Sequence, residues 1–139
     1  MRSGMSLAGV LVCVTIVCGC SSEQAPKMAA RVDVAGEVNL DGKPMNEPDA
    51  TISFALAGEA PAVIPIKDGK FEGKAPVGDS RVEIRAMKQG EPTMMDGKPV
   101  EGSGAYNFIA EKFNDQSTLT AKIAAGGTKD LKFDVESKK

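Results

Sequence analysis

A period of two governs most of this chain. Val32, Val34, Gly36, Val38 and Leu40 fall on one face, while Arg31, Asp33, Glu37 and Asn39 fall on the other. Successive side chains of a strand point to opposite faces, so this pattern predicts a half-buried strand. Thr51–Leu56 repeats it, with Ile52, Phe54 and Leu56 inward. Arg81–Met87 does so again, with Val82, Ile84 and Ala86 inward. Thr118–Ile123 turns Leu119, Ala121 and Ile123 inward, and Asp130–Val135 turns Leu131, Phe133 and Val135 inward. Val63–Ile66 is a short apolar strand that Pro65 confines to an edge, because proline cannot donate to a ladder.

Turn residues separate these runs. Asp-Gly-Lys occurs at Asp41, Asp68 and Asp96, twice continuing into Pro. Asp68-Gly69 between Ile64 and Glu72 predicts a tight hairpin. Ala75–Asp79 and Ala125-Gly126-Gly127 read as further turns. Residues 88–104 break the alternation with Gly and two Pro, and predict a long loop that is either functional or mobile. Tyr106–Asn114 is aromatic-rich and reads as a short strand followed by one helical turn. It either forms an exposed contact strip or covers an open sheet edge, and edge cover is the commoner use. About seven short strands without a strong helix predict an all-β fold, a single seven-stranded antiparallel β-sandwich. Its core would use Val34, Val38, Ile52, Phe54, Ile64, Ile66, Phe71, Val82, Ile84, Leu119, Ile123, Leu131 and Phe133.

The first nineteen residues have a different character. Arg2 precedes the uncharged apolar run Met5–Val17, and Gly19 stands before Cys20 and Ser21-Ser22-Glu23-Gln24. Val17-Cys18-Gly19-Cys20 resembles the cleavage and acylation box of a bacterial lipoprotein. The resemblance implies a signal peptide over 1–19, a lipidated Cys20 with a tether over 20–30, and a β domain over 31–139. Cys13 and Cys18 are rival acylation sites, but each follows Val where a small residue is needed. A transmembrane reading fits less well, because the strongly apolar part is shorter than the ~18–20 residues a spanning helix needs. Acyl chains on Cys20 imply membrane lipid as one partner and the cell envelope as the location. Ser21, rather than Asp, at the second mature position resembles an outer-membrane sorting signal.

Composition removes several chemistries. The chain has no His and no Trp, one Tyr and three Cys. Losing residues 1–19 removes Cys13 and Cys18, and lipid consumes Cys20. The mature domain then has neither thiol nor disulfide. Histidine bases, triads, thiol catalysis and His- or Cys-ligated metal are excluded. Losing Arg2 takes the net charge from −2 to −3, with the charges well mixed, so no nucleic-acid partner is expected. The Asp-Gly-Lys repeats carry one carboxylate each, unlike a calcium loop, and read as turn chemistry. Met87, Met94 and Met95 invite a soft-metal reading, but adjacent loop methionines more often serve as adaptable apolar contacts. Asp33, Glu37, Glu83, Asp130 and Asp134 lie on outward strand faces, as solvated groups do. No cofactor, metal or catalytic residue is expected.

Gly36-Glu37-Val38-Asn39-Leu40-Asp41-Gly42-Lys43-Pro44-Met45, then Ala50-Thr51-Ile52-Ser53-Phe54, resemble the opening of a carboxypeptidase-regulatory-like (transthyretin-like) domain. Ile66–Phe71 and Pro76-Val77-Gly78 resemble that family's next hairpin and turn. The longer pattern is similar to small planctomycete-type lipoproteins. These share the opening motif, a strand like Val82-Glu83-Ile84-Arg85, and a tail like Ile109–Leu119 that ends in Phe133-Asp134-Val135. The resemblance covers roughly 17–135 and implies a transthyretin-like or Ig-like sandwich without an assigned activity. The function expected is a non-catalytic binding or scaffolding module for an envelope protein or glycan. Its contact residues are expected at Met94, Met95 and Tyr106. A carboxylate-based envelope hydrolase and a purely structural surface protein are the alternatives.

Overall fold

The computed structural model describes residues 28–139, so the readings placed on Cys20 and on 1–27 lie outside the described residues. The chain forms β1 (Arg31–Leu40), β2 (Lys43–Pro44), β3 (Thr51–Ala55), β4 (Ala62–Lys67), β5 (Lys70–Pro76) and β6 (Gly78–Arg85). The strands β7 (Met87–Gln89), β8 (Met94–Met95), β9 (Lys98–Pro99) and β10 (Ala105–Asn107) follow. A 3-10 turn (Glu111–Phe113), β11 (Thr120–Ile123) and β12 (Thr128–Val135) complete the chain. Seven strands carry the sandwich, in the order β11-β6-β3-β4-β5-β1-β12, with β2 paired to β1. The fold is all-β, as the alternation predicts.

β4 is the corner of the fold. Ala62–Pro65 pairs with β3, and Ile66 and Lys67 pair with β5. One strand thereby belongs to both layers, and the sheet curls over its own core. Ile66 N donates to the Ala50 carbonyl at 2.9 Å. Backbone groups alternate sides along a strand, so Pro65 puts its missing donor on the opposite side. There the β5 ladder has not yet begun. The edge expected from Pro65 is thus only local, because β4 lies inside the strand order, its first four residues pairing with β3 and its last two with β5.

The antiparallel expectation fails at one pair. β1 and β12 run parallel, with Gly36 opposite Leu131, Val38 opposite Phe133 and Leu40 opposite Val135. The register slips between Val34 and Gly36, where β12 carries an extra residue and Asp130 sits at φ 62°. This bulge lets both Lys129 and Asp130 stay exposed, although plain alternation would send one of them into the core. The expected turn at Ala75–Asp79 is also shorter than the sequence implies. Strand β5 runs through Ala75 and Pro76, and Val77 alone separates it from β6.

The core unites both layers. Phe71 of β5 lies 5.8 Å from Phe54 of β3 and 6.3 Å from Phe133 of β12, centroid to centroid. Around them pack Val34, Val38, Ile52, Ile64, Ile66, Val82, Ile84 and Ile123, each worth about 1.5–3 kcal/mol when fully buried. Leu119 and Leu131 are half-buried at the rim. Met45, Phe108 and Ile109 join the core without any alternating pattern to announce them.

Asp41-Gly42, Asp68-Gly69 and Asp96-Gly97 each join two strands by a two-residue turn with both central residues at positive φ. That geometry suits type I′ hairpins, which favour Asp-Gly. The turn reading of the three repeats therefore holds. Asp41 also accepts from Ser137 N and from Ser137 Oγ, at 3.2 and 2.9 Å, and so ties down the chain beyond β12.

Residues 108–119 pack over that end of the sheet. Ile109 bridges Ser137, Ala110 N donates to Glu136 O at 2.9 Å, and Lys138 N donates to Phe108 O at 2.7 Å. Buried Asn114 donates to the carbonyls of Ile109 and Ala110 at 2.9 and 3.1 Å, and its side-chain oxygen accepts from Asp115 N at 2.6 Å. Edge cover is the observed role of this segment.

Two substitutions test this account by thermal unfolding of the mature chain. A Cβ at Gly36 would meet Leu131 O at 2.3 Å and the Phe71 ring at 2.7 Å, so Gly36→Ala is expected to cost about 1–3 kcal/mol. Asn114→Ala removes the side-chain donor to the buried Ile109 carbonyl and is also expected to cost about 1–3 kcal/mol. An unchanged Tm for either variant removes the role assigned to that residue.

Candidate functional site

The segment expected to be an irregular loop, 88–104, is instead the greater part of a hairpin arm. Met87 pairs with Asn107, Lys88 with Tyr106 and Gln89 with Ala105. Beyond that ladder Gly90 N donates to Gly104 O at 2.9 Å, and Val100 N donates to Thr93 O at 2.9 Å. Ser103 braces the middle of the arm. Its Oγ accepts from Thr93 N at 2.8 Å, and its carbonyl accepts from Gln89 Nε2 at 2.7 Å. At the tip Met94 pairs with Pro99 and Met95 with Lys98, closed by Asp96-Gly97.

Glycine is required inside the arm. Gly104 sits at φ 84°, and a Cβ there would meet Glu91 O at 2.4 Å. A Cβ at Gly90 would meet Gly104 O at 3.0 Å and the Tyr106 ring at 3.3 Å. The two limbs thus approach more closely than side chains would allow.

The root of the arm is fixed to the sandwich. Asn107 Oδ1 accepts from Ala86 N and from Ile109 N, both at 3.2 Å. Phe108 N donates to Ala86 O at 3.2 Å. Lys88 Nζ lies 3.9 Å above the buried Phe108 ring and 3.8 Å from Glu47. Asn107 Nδ2 is buried with no hydrogen-bond partner.

The three expected contact residues lie on this arm, Met94 and Met95 at its tip and Tyr106 in the ladder nearest the sandwich. Met94, Met95 and Tyr106 are 59, 67 and 50% exposed, with Met87 and Val100 beside them in the sequence at 40 and 39%. Large apolar side chains on a braced ladder are held ready for contact, and Tyr and Met are enriched at interfaces. The sequence hid the ladder because runs of two or three residues are too short to alternate. Its only local signal was Asp96-Gly97, the same dipeptide that closes the other two hairpins.

A concavity of about 580 Å³ lies on the outer face of β1, β5 and β12. Lys70, Glu37 and Lys132 share one rung there, with Lys129 and Asp130 from the bulge nearby. Its charges are mixed and exposed. The outward acids elsewhere are surface groups with partners. Asp33 pairs with Lys74 at 2.9 Å, Asp134 accepts from Asn39 at 2.7 Å, and Glu83 lies between Arg81 and Arg85. Burial would lower the pKa of Arg85, but hydrogen bonds and charge from Glu83 and Asp115 outweigh it and hold the guanidinium above its usual range. These contacts describe a charged surface.

No family model and no curated protein matches this chain. The crystal structure of a DUF3823 family protein from Parabacteroides merdae is similar over 78% of this chain, at 14% identity and a TM-score of 0.43. The match takes in 47% of that protein, so this chain spans about half its length.

Proposed function

We propose that this chain is a lipid-anchored, non-catalytic contact module of the cell envelope. It is held through Cys20 at the outer membrane and engages an envelope protein or glycan through the Met87–Asn107 arm. One observation carries the reading: five exposed apolar side chains sit on a single self-braced hairpin. Scattered exposed apolar residues are ordinary, but a group held on a preformed ladder favours binding, because less freedom is lost on contact. The absence of His and the loss of every free thiol in the mature chain support a role without chemistry. The residues around Cys20 support the anchor by their resemblance to a lipoprotein box.

Crosslinking and co-purification of the tagged protein from intact envelopes tests this reading. The native chain is expected to capture a reproducible partner that the Cys20→Ala variant loses. A Met94→Ser/Met95→Ser variant should recover at least about tenfold less, a loss of about 1.4 kcal/mol. Full recovery by that variant would remove the arm from the contact. Equal recovery by Cys20→Ala would remove the anchor from the function.

A further inference from the structure

The arm and the chain's point of attachment lie at opposite poles of the sandwich. Ala30 O accepts from Val77 N at 2.9 Å, and Arg31 pairs with Pro76. Val77 directly precedes Gly78, the first residue of β6. The Leu56–Ala60 turn shares this pole, where Arg31 donates to Ala60 O at 3.0 Å. The arm is rooted beyond the other end of β6. Ala86 follows Arg85, runs directly into the first limb at Met87, and holds the returning limb through Asn107 by its N–H and Phe108 by its carbonyl. The eight residues of β6 separate the two poles by about 23 Å at ~3.3 Å per residue.

The surface chemistry follows the same polarity. Five of the seven exposed large hydrophobic residues among the described residues belong to the arm. Of the other two, Met28 stands beside the attachment point and Val63 on β4, so the pole where the chain leaves for the membrane carries one such residue against five on the arm. The arm's charges also oppose a lipid docking surface. Glu91, Asp96 and Glu101 outnumber Lys88 and Lys98, and anionic headgroups attract basic segments rather than acidic ones.

We infer that the arm is directed away from the membrane that holds Cys20, and that its apolar side chains take a protein partner on that far side rather than lipid of their own leaflet. This inference rests on the anchored reading above. Such a partner presents an apolar pocket that unbranched thioethers and one tyrosine ring can fill. The orientation of the domain on a membrane is the quantity that tests this.

The mature chain makes that measurement simple, because acylation leaves no free thiol. Met95→Cys and Ala60→Cys each supply a unique labelling site at opposite poles. Each lipidated, fluorophore-labelled variant is placed on vesicles of phosphatidylethanolamine and phosphatidylglycerol that carry a headgroup quencher. The label at 60 is expected to be quenched several-fold more than the label at 95. Equal or stronger quenching at 95 would overturn the inference while leaving the anchored module standing. Failure of the lipidated chain to hold to vesicles would remove both. In intact envelopes, a benzophenone on Met95→Cys should crosslink to a protein, and Met94→Ser should weaken that adduct. An adduct with lipid, or with a second copy of this chain, would overturn the assigned partner.

Discussion

The sandwich depends on the space left by a missing side chain at Gly36. Phe71 reaches across the interior between Phe54 and Phe133 and is the ring common to both aromatic contacts. It lies where a Cβ on Gly36 would be, 2.7 Å from that position, and the Leu131 carbonyl closes in to 2.3 Å. β1 can therefore hold an antiparallel partner on one side and a parallel one on the other while the ring sits beneath it. The bulge at Lys129–Asp130 belongs to the same arrangement, since it resets the register of β12 just before Leu131 meets Gly36. No Cys lies among residues 28–139, so close packing at this junction carries stability that a crosslink within the domain would otherwise supply.

Much of this was legible from residue types alone. Five runs of alternation, the short apolar run Val63–Ile66 and the hairpin limb after Asp68-Gly69 correspond to the seven strands of the sandwich, and most of the expected inward side chains are buried. Asp-Gly located three hairpins because few other dipeptides accept positive φ at both central positions. The parallel β1–β12 pair was not legible. Alternation fixes which face a residue occupies, not which strand lies beside it or in which direction. Met45 was missed because it follows a turn, where no period exists to mark it. Its carbonyl accepts from Gly69 N at 2.7 Å, so its burial depends on a hairpin more than twenty residues away.

The tail motif Ile109–Leu119 shows what kind of information a family-like signature can carry. Asn114 binds the two carbonyls that begin the segment, and Ser117 donates to Val82 O while accepting from Leu119 N. Ile109 is fully buried, and Phe113 packs against the core. The motif thus describes how a non-repetitive segment is fastened across a sheet, and its polar residues serve the backbone. A signature of this sort can be specific while saying nothing about a ligand.

The arm inherits its position from the same fastening. Asn107 ends β10 and binds Ala86, and the next two residues, Phe108 and Ile109, are core side chains. The limb that carries Tyr106 is therefore continuous with the buried segment that Asn114 holds. The arm does not hang from two free ends. One limb grows directly out of β6 and the other out of the core cover. Side chains built on such a base are held in place before any contact, and under the contact role we propose they would lose little orientational freedom on binding. The apolar residues at the tip and the packed residues at the root then have different work, and they should respond differently to substitution. Under the proposed contact role, changes at Met94 or Met95 are expected to alter what the arm grips, whereas changes at Asn107 or Phe108 disturb the bonds and packing that fix its root.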